Sequence, residues 1–183
     1  MKNISLLLIL SLLWLQPLSA QFLSADIQVS GLTCSLCSRS TELAIRELDF
    51  VKDIDVDLNR AVFVVSFYPD KEIDMDKIPE QVEAAGFSVS GLTARYVLSQ
   101  PLKAVPNQPL ELSGRYYHVM ADASQTFQNE VLLTFIDKHY VSNKTFRTYQ
   151  KNNAPPCYRT GFAVPGECPH QVPANTRIYH ITL

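Results

Sequence analysis

The chain has 183 residues, of which 46% are apolar, 19% charged and 10% aromatic, with a net charge of −2 at neutral pH. That balance excludes a disordered chain and leaves room for one or two globular domains. The charge is uneven: residues 26–97 carry seven basic against thirteen acidic side chains, and residues 99–183 eight against five. This split supports two units with different surfaces, and the acidic first unit repels phosphate, which argues against nucleic acid as its partner.

Residues 1–20 read as a secretory signal, with Lys2 at a positive start, an apolar run over 4–15 and small residues near Ala20. The expected cut follows Ala20, with a second option after Ala25. A retained anchor helix is the alternative, but the run falls short of the roughly 20 apolar residues a membrane-spanning helix needs. No other stretch approaches that length, and no cysteine stands at the cut to carry a lipid. The expectation is an exported protein of the periplasm or cell envelope, with no transmembrane segment in the mature chain.

Ile27 and Val29 alternate with polar neighbours, which predicts a half-buried strand running into GLTCSLC, residues 31–37. There Cys34 and Cys37 stand three apart, the second on the first turn of a helical pattern. Both sulfurs can converge on one small ion, and the positive end of the helix dipole favours their thiolates. Thiolates select soft cations, and a set of two suits a low-coordinate ion better than the closed shell of structural zinc. The same spacing also serves a disulfide oxidoreductase, half of a zinc site, or a short disulfide. Against the oxidoreductase, the thioredoxin pattern has an aromatic residue before its first cysteine, where Thr33 stands here.

Downstream, Cys37, Thr41, Ala44, Ile45 and Leu48 share one helical face. Ile54, Val56 and Leu58 alternate with aspartates in a second strand, Asn59 and Arg60 turn, and residues 61–67 form a third. Asp74 or Asp76 caps a second helix with Ile78, Val82 and Ala85 inward, which Gly86 ends, and a fourth strand begins at Phe87. Strand, helix, hairpin, helix, strand is the ferredoxin-like βαββαβ arrangement, an α+β fold.

These residues resemble the heavy-metal-associated domain of copper chaperones, copper ATPases and periplasmic mercury-binding proteins. GLTCSLC stands at its metal loop, residues 48–51 at its Leu-x-x-Val turn, 56–59 at its Val-x-Leu-x, and VEAAGF, residues 82–87, at its Ile-x-x-Ala-Gly-aromatic ending. The resemblance implies that residues 25–97 bind one soft ion, Cu(I) first, with Hg(II) or Zn(II) as alternatives, between Cys34 and Cys37. It implies transfer to a metal-accepting partner such as a metal-transporting ATPase, and no enzyme activity. Gly31, Leu32 and Thr33 would support the loop and Phe87 would shield it. Leu32 departs from the family's usual methionine, a residue that packs beneath the loop and does not bind metal.

Pro101, Pro106 and Pro109 mark residues 98–109 as a linker. Residues 110–183 read as a small, mainly β domain, a barrel being one option, with strands at 110–121, 130–137 and 177–183. In the last, Tyr179, Ile181 and Leu183 face one way and Ile178, His180 and Thr182 the other. Ser142 caps a helix over Asn143–Lys151, with Phe146 inward. Cys157 and Cys168 sit in a proline-rich loop. They form a disulfide, or else join His170, with His180 or His139, in a second metal site. His118 is read as a packed or surface strand residue. No Ser, His and Asp set with recognisable local context is present.

Overall fold

The computed structural model describes residues 20–106, 108–121, 123–152, 154–166, 168 and 172–183. All of the expected leader except Ala20 lies outside the described residues, as does His170. Among the described residues no helix is long and apolar enough to cross a membrane.

The first half runs β1 (Gln21–Ser30), α1 (Ser35–Arg46), β2 (Val51–Asp57), β3 (Val62–Phe67), α2 (Lys77–Ala84) and β4 (Ser88–Val97). Thr41, Ile45 and Leu48 of the α1 stripe are buried, and α2 buries Ile78 and Val82. The strand order β2-β3-β1-β4 is antiparallel throughout, which completes the βαββαβ unit. Leu58 departs from the predicted alternation and is 61% exposed. The strand stops at Asp57, whose carboxylate accepts the amides of Asn59 and Arg60 at 3.1 Å each and so starts the turn one residue earlier.

The second half adds β5 (Leu102–Ala104), β6 (Pro109–Leu112), β7 (Arg115–Val119), β8 (Gln125–Phe127), β9 (Glu130–Phe135), α3 (Asn143–Lys151), α4 (Pro156–Thr160) and β10 (Ile178–Thr182). The stretch read as a linker therefore holds β5, which pairs with β8, and the start of β6. The single strand read at 110–121 is a hairpin. Ser113 and Gly114 both take positive φ, 48° and 71°, the two-residue turn that matches strand twist.

The two halves share one eight-stranded sheet, ordered β2-β3-β1-β4-β9-β10-β7-β6, because β4 pairs with β9 along six residues. One apolar core follows that sheet from Phe63 and Ile27 through Leu92 and Leu133 to Tyr117 and Tyr179, with full burial contributing about 1.5–3 kcal/mol for each large aliphatic or Phe side chain. β10 lies inside the sheet, antiparallel to β9 and parallel to β7. Its residues 178–181 are all buried, so it shows no wet face; α4 and the 161–163 loop cover its second side.

Candidate metal centre

β1 ends at Ser30, and Gly31 at φ 90° turns the chain into the cysteine loop. Only glycine adopts that backbone without strain. Cys34 is the N-cap of α1 and its Sγ accepts the amide of Cys37 at 3.2 Å. Cys34 is exposed and Cys37 half-buried, with Cα atoms 5.2 Å apart, and the two are joined as a disulfide. Once reduced, both sulfurs lie at the positive end of the α1 dipole, where a bound amide hydrogen favours the thiolate. Thr33 is exposed and Leu36, between the cysteines, is 79% exposed.

Leu32 packs half-buried on the main core, which anchors the loop from below. Phe87 reaches the loop through the end of α2. The amide of Gly86 bonds to Glu83 O at 2.9 Å and that of Phe87 to Val82 O at 3.1 Å, with Gly86 at φ 89°. This is the paired closure that puts the residue after the glycine back against the helix. Phe87 Cδ1 then stands 3.6 Å from where a side chain on Gly31 would begin. VEAAGF thus sets an aromatic ring behind the loop.

The model of the heavy-metal-associated domain family matches residues 26–88, and no family model matches the rest of the chain. A probable copper-transporting ATPase of Arabidopsis thaliana, HMA5, is 39% identical over 66 residues, 36% of this chain and 6% of that protein. A copper-exporting P-type ATPase of Staphylococcus aureus (strain Newman) is 28% identical over 67 residues, 37% of this chain and 8% of that protein. The chain thus spans less than a tenth of the length of these relatives. Among solved structures, the yeast copper transporter domain CCC2A is 30% identical with a TM-score of 0.33, over 37% of this chain and 90% of that one. Residues 26–88 are a heavy-metal-associated domain, with Cys34 and Cys37 in its loop.

Asp76 does not cap α2 with its side chain; Asp74 accepts the Asp76 amide instead, at 3.2 Å. The Asp76 carboxylate takes Tyr140 Oη at 2.7 Å, Tyr179 Oη at 3.0 Å, and Arg177 Nε and Nη2 at 3.0 and 2.9 Å. Burial pushes this carboxyl up, but the Arg177 guanidinium and the two hydroxyls outweigh it and hold it below its usual range. The start of α2 is thereby tied to β10.

Cys157 and Cys168 are buried and joined as a disulfide, Cα atoms 6.0 Å apart. Closing that loop contributes about 2–3 kcal/mol by chain entropy. Cys168→Ala is therefore expected to lower unfolding stability by that amount in chemical denaturation, without touching metal binding at the Cys34 loop. His139 is exposed and pairs with Glu83 at 2.9 Å, and among the described residues the histidines that gather at Cys157 are His118 and His180. His118 is 3% exposed and, among the described residues, neither ring nitrogen has a partner. Burial, then the neighbouring His180, push its pKa from 6.5 to about 4, with Asp137 acting the other way.

In the window from pH 6.5 down to 4 the unfolded chain protonates His118 and the folded one does not. Stability present above pH 6.5 is lost as pH falls, about 3 kcal/mol by pH 4. Denaturation curves at pH 7 and pH 4 should show that loss, and His118→Leu should remove it while leaving neutral-pH stability equal or higher.

Proposed function

We propose that the chain is an exported metal-binding protein that takes one Cu(I) between Cys34 and Cys37 and hands it to a metal-accepting protein of the periplasm or cell envelope. The observation that carries this is the sulfur pair at the N-terminus of α1, reachable from solvent on a loop that Leu32 and Phe87 brace. Two thiolates satisfy a low-coordinate soft cation and leave it open to a third. A partner's thiolate can then join before either of the first two leaves, so no step releases a bare ion. The pair must first be reduced, since a disulfide sulfur carries no thiolate charge. The relatives are copper-transporting and copper-exporting ATPases, which points to copper and suggests a metal-transporting ATPase as the partner class.

The leader pattern supports export, and a cut after Ala20 leaves β1 whole. A cut after Ala25 would remove Phe22, which packs edge-on to Tyr96 at 4.8 Å. Binding and transfer account for the loop without turnover chemistry.

The test is a Cu(I) titration against a competing chelator, with Hg(II) and Zn(II) in parallel, on protein whose exposed disulfide has been opened and on protein left oxidised. One Cu(I) per chain is expected after reduction and none before. Protein that prefers Zn(II), or that holds Cu(I) equally well when oxidised, would overturn the reading.

A further inference from the structure

β7 and β10 run parallel with His118 opposite His180. On a parallel ladder, residues in register project from the same face, and the two rings stand 5.4 Å apart. α4 lies over that face and brings Cys157 to them. Cys157 Sγ is 3.4 Å from His180 Nε2, and His118, Cys157 and His180 each offer a ligand atom, all within 4.8 Å of one another. The three residues are buried. His180 Nδ1 pairs with Asp137 Oδ1 at 2.8 Å, and Asp137 Oδ2 accepts the His180 amide at 2.8 Å. The tautomer with its proton on Nδ1 toward the carboxylate leaves Nε2, the nitrogen that faces the sulfur, free to bind an ion. This carboxylate–imidazole arrangement is the one that orients metal-binding histidines.

We propose that the interior of the C-terminal half holds a second soft-metal site, made by His118, His180 and the Cys157 sulfur, which takes a monovalent d10 ion when the Cys157–Cys168 disulfide is reduced.

Three observations carry it. Both nitrogens of His118 are buried without a partner among the described residues, at a cost of about 1–3 kcal/mol for each polar group left unpaired; an ion in the cluster relieves one of them. Ligands at about 2.0–2.3 Å from an ion stand some 3.3–3.8 Å apart; the Cys157–His180 contact at 3.4 Å meets that spacing, and His118 completes a set whose ligand atoms all lie within 4.8 Å of one another. Ligand chemistry then favours a soft ion. A Cys157 thiolate beside two imidazoles suits a soft d10 cation, and Arg177, which lies 3.8 Å from Asp137 but is paired twice with Asp76, leaves negative charge at the cluster for that cation to offset.

Cys157, His180 and Asp137 also have the order of a nucleophilic triad, but that reading leaves His118 without a role and places its sulfur out of solvent's reach. A cleft of about 350 Å³, lined by Asp137, Tyr158, Gly161 and Arg177, lies beside the cluster and shares with it Asp137, the partner of His180.

Opening the site requires a dithiol. It supplies two electrons and two protons, the Cys157–Cys168 bond breaks to two thiols, and the dithiol leaves as its own disulfide. On binding, Cys157 releases its proton to solvent and the ion takes the lone pairs of sulfur and both imidazoles. The Cys168 sulfur, which accepts the Cys157 amide at 3.1 Å, stays beside it; once the ion has left, an external disulfide re-forms the bond by taking up the two electrons and two protons and leaving as its own dithiol.

The test uses the full chain carrying Cys34→Ser and Cys37→Ser together, so its outcome is independent of the loop. The protein is reduced with a small dithiol, freed of it under argon, and titrated with Cu(I) against a chelator. One Cu(I) per chain is expected after reduction and none in oxidised protein, with X-ray absorption showing sulfur and nitrogen neighbours. His118→Leu, which keeps a well-packed apolar side chain, should weaken binding at least tenfold with the thermal midpoint retained. No Cu(I) bound after reduction, Zn(II) taken in preference, or unchanged affinity in His118→Leu would each overturn the proposal. So would rapid alkylation of Cys157 in the folded oxidised or metal-loaded protein.

Discussion

Cys34→Ser or Cys37→Ser is expected to abolish tight Cu(I) binding at the loop, by at least a thousandfold, about 4 kcal/mol. A two-thiolate site that loses one sulfur keeps a single strong donor, and a serine hydroxyl is too hard and too weakly acidic to replace it. The folded structure should be unaffected, because Cys34 is exposed and its capping contact is one that serine reproduces, oxygen for sulfur. The comparison is cleanest after mild reduction that opens the exposed pair and leaves the buried Cys157–Cys168 bond closed, with free thiols counted by alkylation and mass. If Cys34→Ser retained the ion while Cys168→Ala lost it, the site would have been placed in the wrong half.

Asp76→Ala should produce the largest loss of stability at a polar position, about 4 kcal/mol. The carboxylate accepts from two tyrosine hydroxyls and twice from Arg177, and truncation leaves all of these donors without their acceptor, among them Tyr140 and Tyr179, which are 1% and 0% exposed. Breaking a wholly buried ion pair costs about 3–5 kcal/mol. The Asp76 side chain keeps 35% of its exposure, which discounts the ionic part, while the two stranded hydroxyls add to it. Asp76→Asn keeps an acceptor and should lose about half as much. Because this carboxyl titrates below its usual range when folded, its contribution is complete above the unfolded value of about 4 and fades as pH falls through the lower folded value. A double-mutant cycle with Arg177→Met measures the coupling; additive losses would show that the two side chains do not stabilise one another.

The first half was legible because its elements are amphipathic and its signals local. The stripe through Thr41, Ile45 and Leu48, the glycine that closes α2 and the CxxC loop can all be read within a dozen residues. Leu58 was misplaced because the Asp57 side chain starts the turn before the alternation runs out. The second half depends on distant partners. β10 carries no alternation to read, since neighbours cover both its sides, and the charge break near residue 98 hid the fact that β4 and β9 are sheet neighbours.

Two signals were nonetheless present. Ser-Gly at 113–114 marks a hairpin turn. Arg115-Tyr116-Tyr117-His118-Val119 repeats as Arg177-Ile178-Tyr179-His180-Ile181, and the structure pairs Tyr117 with Tyr179 and His118 with His180 in register. Read together, those segments would have drawn His118 and His180 onto one face. Asp76 has no such signal, because Arg177, its partner, lies 101 residues away.

The place of β10 bears on the order in which the chain can fold. Strands laid down earlier on either side, β9 and β7, have no direct ladder between them, so until residues 178–182 arrive each presents a bare hydrogen-bonding edge to whatever is nearby. A nascent polypeptide therefore completes this sheet only after residues 178–182 have emerged, and closure waits on pairings remote in sequence, which form slowly. Any fragment that stops short of residue 178 should associate with itself.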